Sequence, residues 1–107
     1  MIDTLKKRVA AYIRVGGIGG AIADMLETEK AQFEAGIRNH ENWVFAGCYA
    51  DSCPAAGERP GLTRLLNDCR AGKIDIIVTN DNATAKAIAT YVNTLIHFIV
   101  FVLHKAL

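Results

Sequence analysis

Residues 8–15 run R-V-A-A-Y-I-R-V and stop against four glycines, Gly16, Gly17, Gly19 and Gly20. A run this rich in apolar and β-branched residues suits a strand buried on both faces, and the glycines end it abruptly. Behind them Ile22, Met25, Leu26, Phe33 and Ile37 recur at helical spacing, which predicts an amphipathic helix from Ile22 to about Asn39. A buried strand that hands directly to a helix commits the chain to strand–helix alternation rather than to a bundle or a sandwich of hairpins.

The alternation continues. Residues 43–50 (W-V-F-A-G-C-Y-A) form a second predicted strand, and residues 51–61, with both prolines and two glycines, a loop. Leu62, Leu65, Leu66 and Cys69 mark a short helix that Gly72 is placed to end, and residues 74–79 (I-D-I-I-V-T) form the third strand. The expected fold is α/β, a three-layer sandwich with a mainly parallel central sheet flanked by helices.

The last stretch is less determined. Residues 83–94 have a helical pattern, whereas 95–103 (L-I-H-F-I-V-F-V-L) suit a helix, a strand or both. A membrane span needs roughly 20 apolar residues, and this run is shorter and interrupted by Asn93 and His97, so no membrane partner is expected. A buried final element, or one covered by a second subunit, is the better reading, and homo-oligomerisation through this apolar segment is expected.

At 107 residues the chain has room for one domain. Apolar residues at 51% and charged residues at 21% are ordinary globular usage, which excludes a disordered chain. A net charge of +1 argues against a dedicated nucleic-acid clamp but leaves room for a local basic patch. Cys48, Cys53 and Cys69 form no CxxC pair and the chain opens without a signal peptide, so a reduced, cytoplasmic setting is expected. His40, His97 and His104 show no metal-ligand spacing with those cysteines, and neither metal nor cofactor is expected.

A strand–glycine–helix junction can cradle phosphate, because helix-terminal amides point outward and the helix dipole favours an anion. The dinucleotide fingerprint fails here, since counting from Gly17 puts Ile22 at the third small position, and counting from Gly16 puts Ile18 at the second. No Gly-Lys-Ser or Gly-Lys-Thr is present, so the P-loop fails too. A small anion- or nucleotide-binding domain that uses the loop 16–20 stays as the alternative, although no lysine, serine or threonine lies within that loop.

Taken together, R-V-A-A-Y-I-R-V at 8–15, Leu26-Glu27, W-V-F-A-G-C-Y-A-D at 43–51, E-R-P-G-L at 58–62 and L-L-N-D-C-R-A-G-K-I-D-I-I-V-T at 65–79 resemble the catalytic domain of the serine recombinases. This is the family of resolvases, invertases and large serine integrases. The resemblance implies a resolvase-like α/β sandwich in which a serine at the end of the first strand attacks a DNA phosphodiester. The product is a covalent phosphoserine link, made without metal or nucleotide, and arginines around the phosphate offset its charge.

The departures from that pattern fall on the chemistry. The family's first motif is Tyr, any residue, Arg, Val, Ser; here it is Tyr12, Ile13, Arg14, Val15, Gly16. Glycine has no group that can form a covalent intermediate. The one serine of the chain, Ser52, is expected beyond the second strand, where it would serve only if the loop folded back. Glu29 stands where the family usually has glutamine, on the inward helical face. Thr84 and Ala87 fall at two arginine positions, with Lys86 the nearby cation.

Arg14 and Arg59 persist as residual phosphate-binding positions, or else hold carboxylates such as Asp51 or Glu29. The resemblance therefore implies a site-specific DNA recombinase-like domain over residues 1–107, cut short at its C-terminal end and without a separate DNA-binding domain. Strand cleavage is not expected of it. It would act through protein–protein or weak DNA contacts, beside an intact recombinase in a mixed assembly, or not at all, as a remnant of a mobile element.

Overall fold

The computed structural model describes residues 6–16, 21–52, 58–80 and 99–102. Within them the chain runs β1 (Lys7–Val15), α1 (Ala21–Arg38), β2 (Trp43–Ser52), α2 (Pro60–Arg70), β3 (Ile76–Thr79) and β4 (Ile99–Val102). The strands form one sheet in the order β2-β1-β3-β4, and every neighbouring pair is parallel. The α/β class and the mainly parallel sheet are as the sequence predicts.

β1 sits inside the sheet with helices on both faces, which is why it carries no polar alternation. Val9, Ala11, Ile13 and Val15 pack with Phe33 and Ile37 of α1, and Ala10 and Tyr12 pack with Leu65 and Cys69 of α2. The two helices therefore cover opposite faces, giving three layers.

In α1 the buried stripe of Phe33 and Ile37 continues through the half-buried Leu26 and Ile22. Beside that stripe Arg38 bonds Glu34 one turn back at 2.7 Å, and its guanidinium carbon stands 4.9 Å from the centre of the Phe45 ring of the sheet.

β2 keeps its side chains aligned with β1 by a bulge. Val9 pairs with Phe45 but Ala10 pairs with Gly47, so Ala46 is an extra residue. Strand side chains alternate with period two. The extra residue resets that count, which lets Trp43 and Phe45 before the bulge and Cys48 and Ala50 after it all face α1. Gly47 takes φ of +131°, a conformation that side chains rarely adopt, as such a bulge requires.

The amino ends of β1 and β3 are fastened by a forked ion pair. Arg8 donates from Nε and Nη2 to the two Asp75 oxygens at 3.0 Å each, and the Arg8 amide adds a bond to Oδ2 at 2.8 Å. The guanidinium bonds hold the Asp75 carboxyl below its ordinary value of 3.8. The folded state thus binds this proton less readily than the unfolded chain does. Stability from the pair is complete above the unfolded value and fades as pH falls through the lower folded one. Because both side chains are partly exposed, the contribution is screened and small. Urea midpoints measured from pH 6 down to about pH 2 are expected to fall less steeply for Asp75→Asn than for the parent chain.

Several boundaries differ from the sequence reading. α2 begins at Pro60, so Pro60 and Gly61 belong to the helix and not to the loop. β2 runs on to Ser52, so Asp51 and Ser52 belong to the sheet and not to the loop. β3 begins at Ile76, although Ile74 is buried ahead of it. Within the apolar run 95–103, residues Ile99–Val102 form a strand parallel to β3, while the predicted helix 83–94 lies outside the described residues. Among the described residues no helix is long and apolar enough to cross a membrane.

Candidate functional site

The chain leaves β1 through α1 to β2 on one side of it, then crosses over β1 through α2 to reach β3 on the other side. In such a sheet the crevice at the carboxyl ends of the strands is where ligands are held. Gly16 follows β1 there and is exposed. In register, Arg14 lies opposite Asp51, and Val15 opposite Ser52. Tyr12 faces α2, so the alternation of β1 puts the half-buried Arg14 on that same face.

Asp51 organises this corner. With only 6% of it exposed, its carboxylate accepts from the Tyr12 hydroxyl at 2.7 Å, the Gly61 amide at 2.8 Å and the Leu62 amide at 2.9 Å. Helices begin with unpaired amides that need acceptors. Arg59, the N-cap residue of α2, makes no side-chain cap, and Pro60 has no amide to offer, so the neighbouring strand supplies the carboxylate instead.

Gly61 makes the approach possible. A Cβ there would stand 2.4 Å from the Ala50 carbonyl oxygen, closer than any real contact. The N-terminus of α2, which would otherwise suit an anion, is thus occupied by the protein's own side chain. The cap also draws half-buried Arg59, next to Pro60, up to the carboxyl end of β2.

The three residues singled out in the sequence, Arg14, Gly16 and Arg59, are therefore brought to one edge of the sheet. Of the two carboxylates considered as partners for the arginines, Asp51 is committed to Tyr12 and the α2 amides, although it remains the register neighbour of Arg14. Glu29 is buried on α1, 7% exposed, as its helical spacing predicts. Thr84, Lys86, Ala87 and residues 17–20 lie outside the described residues.

Ser52 needs correction: it is the exposed last residue of β2, beside Val15, so it already stands at this edge without any folding back of a loop. Its position in the pleat, shared with Cys48 and Ala50, turns it toward the α1 face, away from Arg14.

The other hydroxyl and thiol groups of the core are poor nucleophiles. Burial pushes the Cys48 thiol up to about 11 and the Cys69 thiol up to about 12, so both are protonated at neutral pH. Burial, helped by the hydrogen bond that its hydroxyl donates to Asp68, also raises Tyr49 well above its ordinary value. Among the described residues no group of three or more His, Cys, Asp or Glu could hold a metal ion.

Two contacts here leave no local trace in the sequence: the Asp51 cap, whose partners lie 10, 11 and 39 residues away, and the bonds of Asn80 to the Arg14 backbone across 66 residues. The E-R-P-G-L match did include Gly61, but spacing alone could not tell that its missing side chain faces Ala50. No protein-family model matches the chain, and no curated protein matches it.

Proposed function

We propose that this chain is a serine-recombinase-like domain that has lost strand cleavage and works through protein contacts and weak contact with DNA phosphates. The observation that carries the reading is the meeting of Arg14, Gly16 and Arg59 at one carboxyl edge. Arginines placed at such an edge suit a phosphate. The position from which a nucleophile would attack carries no side chain, and cleavage through a covalent link needs one.

The nucleotide-binding alternative gains nothing from α2, whose first free amides are taken by Asp51. In this reading copies of the chain associate through the C-terminal apolar segment; its described part, β4, pairs with β3. A reduced, cytoplasmic setting suits its thiols.

The test is DNA binding and cleavage with supercoiled plasmid and short duplexes at low salt. The native chain is compared with a Gly16→Ser variant that also carries Thr84→Arg and Ala87→Arg. The native chain is expected to retard duplexes only at low salt, with binding lost as salt rises, and to leave no covalent adduct. A protein–DNA adduct that survives denaturant would overturn the reading and direct attention to Ser52. Failure of both proteins to retard DNA at any salt would remove the DNA contact from it.

A further inference from the structure

β3 ends at Thr79, in register with Tyr12, but β1 continues for three more residues to Val15. Backbone groups on a half-buried strand end need partners wherever the neighbouring strand has stopped. Asn80 provides them. Its Oδ1 accepts from the Arg14 amide at 3.2 Å and its Nδ2 donates to the Arg14 carbonyl at 3.3 Å. A carboxamide carries one acceptor and a donor in nearly the arrangement of a peptide group, so this side chain takes the place of one residue of strand.

We propose that Asn80 is the positioning residue of the carboxyl-edge site, a side-chain clamp that keeps the Arg14 end of β1 in line after β3 has stopped. The two bonds straddle Arg14 and fix its backbone on both sides. The Arg14 side chain therefore starts from a set Cα, and Gly16, two residues on, starts from an ordered strand. Without the clamp, the conformational freedom of the glycine that follows would spread back into the strand end. What the clamp positions, a phosphate-facing edge, rests on the function proposed above; the clamp itself belongs to the free protein.

Amide hydrogen exchange on the full chain tests it, with Asn80→Ala and Asn80→Asp beside the parent and sulfate as the anion probe. Losing both bonds is expected to speed exchange at the Arg14 amide by at least about tenfold while Ala11, in mid-strand, is unchanged. Asn80→Asp keeps an acceptor but sets a carboxylate against the Arg14 carbonyl, and a smaller rise at the same amide is expected. That second variant keeps the test open if Asn80→Ala does not fold.

In a sulfate titration read at the Arg14 side-chain Nε–H signal, the alanine variant is expected to bind several-fold more weakly than the parent. Unchanged exchange at Arg14, or a rise shared equally by Ala11, would overturn the clamp. Sulfate that leaves the Arg14 signal of the parent chain unmoved would overturn the phosphate-facing reading alone, since the exchange rates decide the clamp without it.

Discussion

Replacing Asp51 with alanine is expected to cost about 3–5 kcal/mol of folding stability, because one truncation takes the acceptor from two buried donors and a part-buried one. The Tyr12 hydroxyl and the amides of Gly61 and Leu62 all point at that carboxylate. Domains of this size hold only about 5–15 kcal/mol in total, so the variant sits near the edge of folding. Asp51→Asn serves as the milder form, since it keeps one acceptor oxygen but turns an NH2 toward groups that also donate.

Tyr12→Phe removes a single donor and leaves both amides capped, for a loss of about 1 kcal/mol. The double variant Tyr12→Phe with Asp51→Ala separates the contributions. Once the carboxylate is gone, deleting the hydroxyl removes an unsatisfied group, so the pair is expected to cost less than the sum of its single changes. Urea unfolding followed by circular dichroism measures all four proteins. A loss below about 1 kcal/mol for Asp51→Ala would mean that water replaces the cap and that α2 does not depend on it.

The parts of the fold that sequence made legible are those with local causes. β1 announces itself through eight residues without a break in apolar character beyond its arginines, and α1 through a stripe that any straight helix must bury. By sequence β2 stops at Ala50, because Asp51 and Ser52 look like the start of a polar, proline-containing loop, whereas the strand runs on to Ser52. Asp51 belongs to the sheet because its carboxylate has a partner in a helix that begins nine residues later, and local composition carries no trace of that partner.

The bulge at Ala46 was hidden for a different reason. Its effect is a change of parity, and alternation cannot be read in a strand that is part-buried on both faces. The apolar run 95–103 fits more than one element, and only pairing with β3 makes residues Ile99–Val102 a strand. Of the site, Arg14, Gly16 and Arg59 were legible through their motifs, whereas the contacts that bring them together span 10 to 66 residues and were not.

Gly61→Ala is expected to destabilise the protein by about 2–4 kcal/mol, against the ordinary preference of a helix for alanine. That preference is worth about 1 kcal/mol in an open position, and Gly36 of α1 provides one, since a Cβ there meets nothing within 4 Å. Gly36→Ala should therefore stabilise the chain by about 0.5–1 kcal/mol, and the two alanines should move the urea midpoint in opposite directions. At Gly61 the new Cβ would lie 2.4 Å from the oxygen and 2.9 Å from the carbon of the Ala50 carbonyl, and 3.0 Å from the Asp51 carboxylate.

Two of those three atoms are backbone of β2 and cannot rotate away. Relief must come from α2 moving off the strand, which lengthens the bonds from Gly61 and Leu62 to Asp51 and carries Arg59 away from Arg14. The same substitution should thus weaken sulfate binding at the Arg14 side chain as well as folding, whereas Asp75→Asn, at the opposite end of β1, should leave that binding unchanged. Stabilisation by both alanines would show that α2 does not approach β2 this closely, and the placing of Arg59 at the carboxyl end of β2 would fall with it.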